Sequence, residues 1–91
     1  MPHAIIKPEE VRKFASELKR FNEELKNNFI RIHGRFKQLG ETWRDQEYKR
    51  FEKEFDQTGK SIRQFLTASE KYIPYLDKKV RPVEEYLNIR R

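Results

Sequence analysis

From Val11 to Leu39 the apolar residues recur at steps of three or four: Val11, Phe14, Leu18, Phe21, Leu25, Phe29, Ile32, Phe36, Leu39. Residues three and four apart share one side of an α-helix, whereas a strand alternates every second residue. This rhythm prescribes a long amphipathic helix and leaves no room for a strand in the first half of the chain. Pro8 suits a first helical position, where its missing N–H is harmless, and Glu9 and Glu10 follow where the helix dipole favours acids. The spacing predicts helix 1 over about 8–39, roughly 48 Å long at ~1.5 Å per residue.

Gly40 reads as a left-handed C-terminal cap and Thr42 as the next N-cap, with Asp45 completing an approximate capping box. The corner is then residues 40–42, and so short a connection makes antiparallel neighbours. The stripe resumes at Tyr48, Phe51, Phe55, Ile62 and Phe65, then Tyr72, Leu76, Val80, Val83 and Leu87. Pro74 lies inside it, and a proline in a helix interior costs ~3 kcal/mol. Helix 2 is therefore expected over about 43–73, with a kinked or broken tail over 74–91, all within a single domain, 1–91. Folding about this corner sets Pro8 opposite Pro74 and the basic run Lys26, Arg31, Arg35, Lys37 opposite the acids between Asp45 and Asp56. Gly59 falls beside Phe55 and Ile62; it is either tolerated there or makes room for a bulky neighbour such as Phe21.

Apolar residues also lie off the stripe: Leu66 and Ile73 on helix 2, and Ile30 on helix 1. A helix apolar on two sides needs two partners. These three residues mark an expected dimer interface, and the expected fold class is all-α: an antiparallel hairpin that pairs with a second chain into a four-helix bundle. Val80, Val83, Tyr86 and Leu87 keep helical spacing past the reach of helix 1 and form an expected tail interaction surface.

Of the 91 residues 40% are charged, which alone would suggest disorder, but 12 aromatics and the strict spacing of the apolar residues argue against it. No cysteine is present, which excludes disulfides, thiolate metal sites and thiol catalysis. No run approaches a membrane span, and Met1 to Lys7 lacks the apolar stretch of a standard signal peptide. His3 and His33 have no acid or second histidine at ligand spacing, and His33, off the stripe, reads as a surface residue. No metal and no cofactor are expected.

The size, the central Trp43, the aromatic Phe51 eight residues after it, and Phe36 and Leu39 before it together resemble the Trp-x-Gly (WXG) family of small helical-hairpin proteins exported by type VII, or ESX-type, secretion systems. The third motif position holds Asp45, so the corner reads Trp-Arg-Asp. The family's C-terminal Tyr-x-x-x-Asp/Glu export signal has no match in that part of the chain, since Leu76, Lys79 and Arg90 follow Tyr72, Tyr75 and Tyr86 at that spacing. The resemblance implies a homodimer or a dimer with a related hairpin, contact with secretion machinery through a corner containing Trp43 and Asp45, and either secretion without a standard signal peptide or a place in the cytoplasm.

A narrow hairpin offers no pocket for convergent catalytic groups, and the chain has no nucleophile–base pair or phosphate-binding glycine loop. The expected function is a non-catalytic protein–protein interaction module. The alternative, suggested by a net charge of +6, is a basic helical protein that binds nucleic acid.

Overall fold

The computed structural model describes residues 6–89, which form two α-helices and no strand. α1 spans Pro8–Leu39 and α2 spans Gln46–Ile89, and the two run antiparallel as one hairpin. Pro8 opens α1, Glu9 and Glu10 occupy its first turn, and the Lys7 carbonyl accepts from the N–H groups of Glu10 and Val11 at 3.1 Å. The molecule measures 67 × 27 × 16 Å, a rod as long as α2.

The corner departs from its sequence reading in three ways. Gly40 is right-handed, with φ −65° and ψ −12°. It is required for space: a Cβ there would stand 2.5 Å from Cζ of Tyr48. Thr42 does not cap α2; its hydroxyl points back to the Leu39 carbonyl at 3.4 Å. Asp45 is the cap, its Oδ1 accepting from the Tyr48 N–H at 2.9 Å, the bond an N-cap residue makes to the third residue beyond it. The connection therefore covers residues 40–45, and α2 begins at Gln46 rather than near 43. Trp43 N–H to the Leu39 carbonyl at 2.9 Å and Arg44 Nε to the Gly40 carbonyl at 2.7 Å occupy acceptors that the end of α1 leaves open.

α2 does not stop at residue 73. It continues through Pro74 and Pro82 to Ile89. The carbonyls that lose their helical donors belong to Glu70 and Lys78, both exposed, so water can serve them. Contacts with α1 offset the remaining cost. Val80 is fully buried, and Leu76 and Val83 are half-buried. The segment 74–89 is thus the end of the hairpin and not an overhanging or broken tail; residues 90 and 91 lie outside the described residues, as does His3.

The longer corner also moves the register. Phe36 meets Tyr48, Phe29 meets Phe55 and Phe21 meets Phe65. Pro8 shares a cleft with Glu84 and Leu87 instead of facing Pro74. No ion pair joins the Lys26–Lys37 block to the acids of 45–56 among the described residues. The cross-helix pairs are at the open end, between Arg12 and both Asp77 and Glu84.

The two helices touch along small and polar residues as much as large ones. On α1 the positions turned inward are Val11, Ala15, Leu18, Asn22, Leu25, Phe29, His33 and Phe36, with the buried Gly40 just past its end; on α2 they include Gly59, Ile62, Leu66, Ser69, Ile73 and Val80. Gly59 accommodates Phe29, whose ring carbons would lie 3.1 and 3.2 Å from a Cβ at that position. Phe21 is not the neighbour it serves. His33 is half-buried and stacked on Phe29 at 5.7 Å, not a surface residue.

Candidate interaction surfaces

Three surfaces arise from this packing. The first is the corner. Phe36 and Tyr48 stack at 4.4 Å with their planes 7° apart, and the Tyr48 hydroxyl donates to the Phe36 carbonyl at 3.3 Å. Trp43 sets its ring edge-to-face on Tyr48 at 5.3 Å and is half-buried. Phe51 and Phe55 extend the cluster, at 5.5 and 4.7 Å from Phe36. Asp45 titrates below the usual aspartate range. The Tyr48 backbone N–H holds its carboxylate, with further help from the Trp43 side chain and the Glu47 backbone. Trp43 and Asp45, singled out by the sequence, are therefore brought together, and both fix the entry into α2.

The second surface is an aromatic flank. Phe14, Phe21 and Ile32 each precede an inward residue of α1 by one position, and Leu39 precedes the buried Gly40 at its end. Phe65 and Tyr72 precede the inward Leu66 and Ile73 on α2. One residue earlier is a rotation of ~100° on each helix, and in an antiparallel pair both rotations turn toward the same side. The edge-to-face contact of Phe21 and Phe65 at 6.0 Å shows the two rows meeting there. Phe14, Phe21, Ile32, Phe51 and Tyr72 remain more than half exposed, with Phe65 at 44%. Clefts between Phe21, Leu25, Thr58, Ile62 and Phe65 run along this flank.

The expected dimer residues lie elsewhere. Leu66 and Ile73 are half-buried on the α1-facing side, and Ile73 shares a cleft with Val11 and Ala15. Ile30 is 61% exposed but directly follows the inward Phe29, which turns it away from the aromatic flank. Stepwise rhythm could not separate neighbours such as 21 and 22, because both keep the three-four count. Of the tail residues, Val80 belongs to the core and Val83 is half-buried, while Tyr86 and Leu87 are exposed at the open end.

The third surface, opposite the aromatic flank, is charged. Arg12 donates to both carboxylate oxygens of Glu84 at 2.9 and 2.7 Å and to Asp77 at 2.5 Å; Arg81 also reaches Asp77 at 2.8 Å. These bonds hold Asp77 and Glu84 below their ordinary carboxylate ranges and push Arg12 up. The cluster fastens the last turns of α2 to the first turns of α1. Nothing in the sequence pattern marks it, since Arg12 lies more than sixty residues from Asp77 and Glu84.

No group of His, Asp or Glu side chains suited to a metal ion occurs among the described residues, and none of their helices is long and apolar enough to cross a membrane. The geometry is one of packing surfaces: a capped aromatic corner, an apolar flank and a charged flank. A comparison with curated proteins finds no match, and neither does one with solved structures. The family model described as proteins of 100 residues with WXG matches residues 5–85. With Trp43 at the corner between two antiparallel helices and the match running over nearly the whole chain, the protein belongs to the WXG100 family.

Proposed function

We propose that this hairpin is a non-catalytic interaction module of the type VII (ESX-type) secretion kind, paired with a second copy or a related hairpin through its aromatic flank. The observation that carries the reading is the inversion of size across the helix pair. Ala15, Asn22, Gly59 and Ser69 are turned inward, while Phe14, Phe21, Phe65 and Tyr72 stand half exposed on one side. An apolar row of that size, reaching from Phe14 to Leu39 on α1 and from Phe51 to Tyr72 on α2, marks a protein interaction surface. Trp43 and Asp45 at the corner and Leu87 at the open end are proposed as contacts for the secretion machinery.

The test has two parts. Sedimentation of the unmodified chain at micromolar concentration should give an assembly larger than a monomer. Phe21→Glu with Phe65→Glu should give monomers, because paired carboxylates at an apolar seam are costly to bury. A monomeric unmodified chain, or a double variant that assembles unchanged, overturns the pairing. For export, the protein should leave cells that carry a type VII system and stay inside when its FtsK/SpoIIIE-type ATPase is deleted. Equal release from both strains overturns that half.

A further inference from the structure

The surplus of cations is not spread evenly over the rod. Lys53, Lys60, Lys71 and Lys78 occupy one line along the outer face of α2, directly away from α1. Their spacings of seven, eleven and seven residues are close to whole numbers of helical turns, and the line spans about 37 Å. All four are exposed, and none makes an ion pair with a described residue, whereas Arg12, Arg20, Arg50 and Arg81 all do. The outer face of α1 carries no such line, because Glu17 and Glu24 interrupt Lys13, Arg20 and Arg31 there.

Midway along the line, between Lys60 and Lys71, the surface dips. Thr67 and Ala68 form the floor, Arg63 stands beside it, and Tyr72 and Tyr75 close one end with their rings edge-to-face at 6.2 Å. No carboxylate lines this depression. Unpaired cations in register keep their field outside the molecule and attract an anionic partner. The dip selects which kind. A floor of small residues flanked by aromatics is a hole for a side-chain knob, and carboxylates spaced seven, eleven and seven residues apart along a helix match the lysine line and leave room for one apolar side chain between the middle two. A duplex has no apolar knob to insert, and a single strand, whose bases stack on aromatic rings, is the comparator in the test.

We propose that this face docks an acidic amphipathic helix of a partner protein. Its carboxylates lie against Lys53, Lys60, Lys71 and Lys78, and one apolar side chain sits over Thr67 and Ala68 beside Tyr72 and Tyr75. The inference rests on the reading of the hairpin as an interaction module but uses a different face from the one proposed for pairing, with Tyr72 at the border between the two. The four lysines lie off the pairing flank.

The probe is a labelled synthetic helix of about 30 residues, with Glu spaced seven, eleven and seven residues apart and a single Leu midway between the middle two, titrated against the full chain by fluorescence anisotropy. A scrambled peptide of the same composition and a single-stranded RNA of similar length serve as comparators. The helix should bind, and Lys60→Glu with Lys71→Glu should weaken it by at least about tenfold. Lys60→Gln with Lys71→Gln, checked for unchanged helicity by circular dichroism, should weaken it to a lesser degree, and Ala68→Glu should weaken it by filling the hole. Sedimentation of the same samples should show the lysine variants assembling as the unmodified chain does. Equal binding of the scrambled peptide, tighter binding of the RNA, or unchanged affinity in the lysine variants overturns the inference. An unmodified chain that assembles but does not bind the helix overturns this inference alone; one that neither assembles nor binds overturns both readings.

Discussion

Val80→Ala tests whether the C-terminal quarter of α2 is truly docked. Val80 is fully buried, one turn beyond Asp77 and one before Glu84, the two carboxylates that Arg12 holds. The substitution removes two methyl groups, worth ~0.8 kcal/mol each on transfer, and leaves a small void that adds about 1 kcal/mol. Alanine's better helix propensity returns about 0.5 kcal/mol. The net loss is about 2 kcal/mol. In a chain of this length, each kcal/mol moves the melting midpoint by about 4–8 °C, so a fall of roughly 8–16 °C is expected. The assay is thermal unfolding followed by circular dichroism at one fixed protein concentration, since pairing makes the midpoint concentration-dependent. Tyr75→Ala, on the exposed outer face, is the control and should change stability by less than about 0.5 kcal/mol. Amide exchange should localise the extra opening of the alanine variant to the segment after Pro74. If Val80→Ala shifts the midpoint no more than Tyr75→Ala does, the last turns of α2 are not packed on α1, and the account of how the helix survives two prolines is wrong.

Gly40→Ala should lose about 1–3 kcal/mol in urea denaturation, because the new Cβ displaces Tyr48 from its stack on Phe36; Gly34→Ala, with nothing within 4 Å, should instead gain up to about 1 kcal/mol. Asn22 is 7% exposed, and neither its Nδ2 nor its Oδ1 has a partner. Asn22→Leu should therefore stabilise the hairpin by about 1–3 kcal/mol, at the cost of a single register, visible as doubled amide peaks by NMR. Arg12 holds Asp77 and Glu84 below their ordinary values of 3.8 and 4.5, so their contribution is complete above those values and is lost as pH falls through the lowered ones. Protection factors at the open end, corrected for the intrinsic exchange rate at each pH, should fall over that acid window, and Arg12→Met should reduce this loss to what Arg81 contributes at Asp77.

The three-four rhythm of apolar residues was enough to reveal both helices and their antiparallel arrangement, and Trp43 with Phe51 and Leu39 carried the family. The rotation of each helix about its axis was not legible. At 14/15, 21/22, 32/33 and 39/40 either neighbour satisfies the count. Hydrophobicity favours Phe, Phe, Ile and Leu, while close approach of two backbones favours Ala, Asn, His and Gly. Packing decided, and it decided for the smaller or flatter side chain. The cap was ambiguous for a similar reason. Thr42 and Asp45 are both good N-cap residues, and the choice falls to Asp45 because the Tyr48 that follows it must stack on Phe36. The length of α2 was hidden because a proline's cost is local and readable, whereas the burial of Val80 and the grip of Arg12 that offset it are long-range.

The placement of small residues inside and large ones outside follows from what each contact must overcome. The corner ties α1 to α2, so their effective concentration is high and a modest interface is enough to keep them together. A second hairpin arrives from solution and must first offset lost translational and rotational freedom, a cost of at least about 4 kcal/mol before any net affinity appears. The larger apolar payload belongs where that cost is met. Phe14, Phe21, Phe65 and Tyr72 stand where a second chain can reach them, and Ala15, Asn22, Gly59 and Ser69 stand where the chain is already bound to itself. On this argument, moving bulk inward strengthens the single hairpin and weakens the pair. That also explains why a chain with few fully buried apolar side chains of its own retains an exposed apolar row from Phe14 to Leu39 on α1 and from Phe51 to Tyr72 on α2.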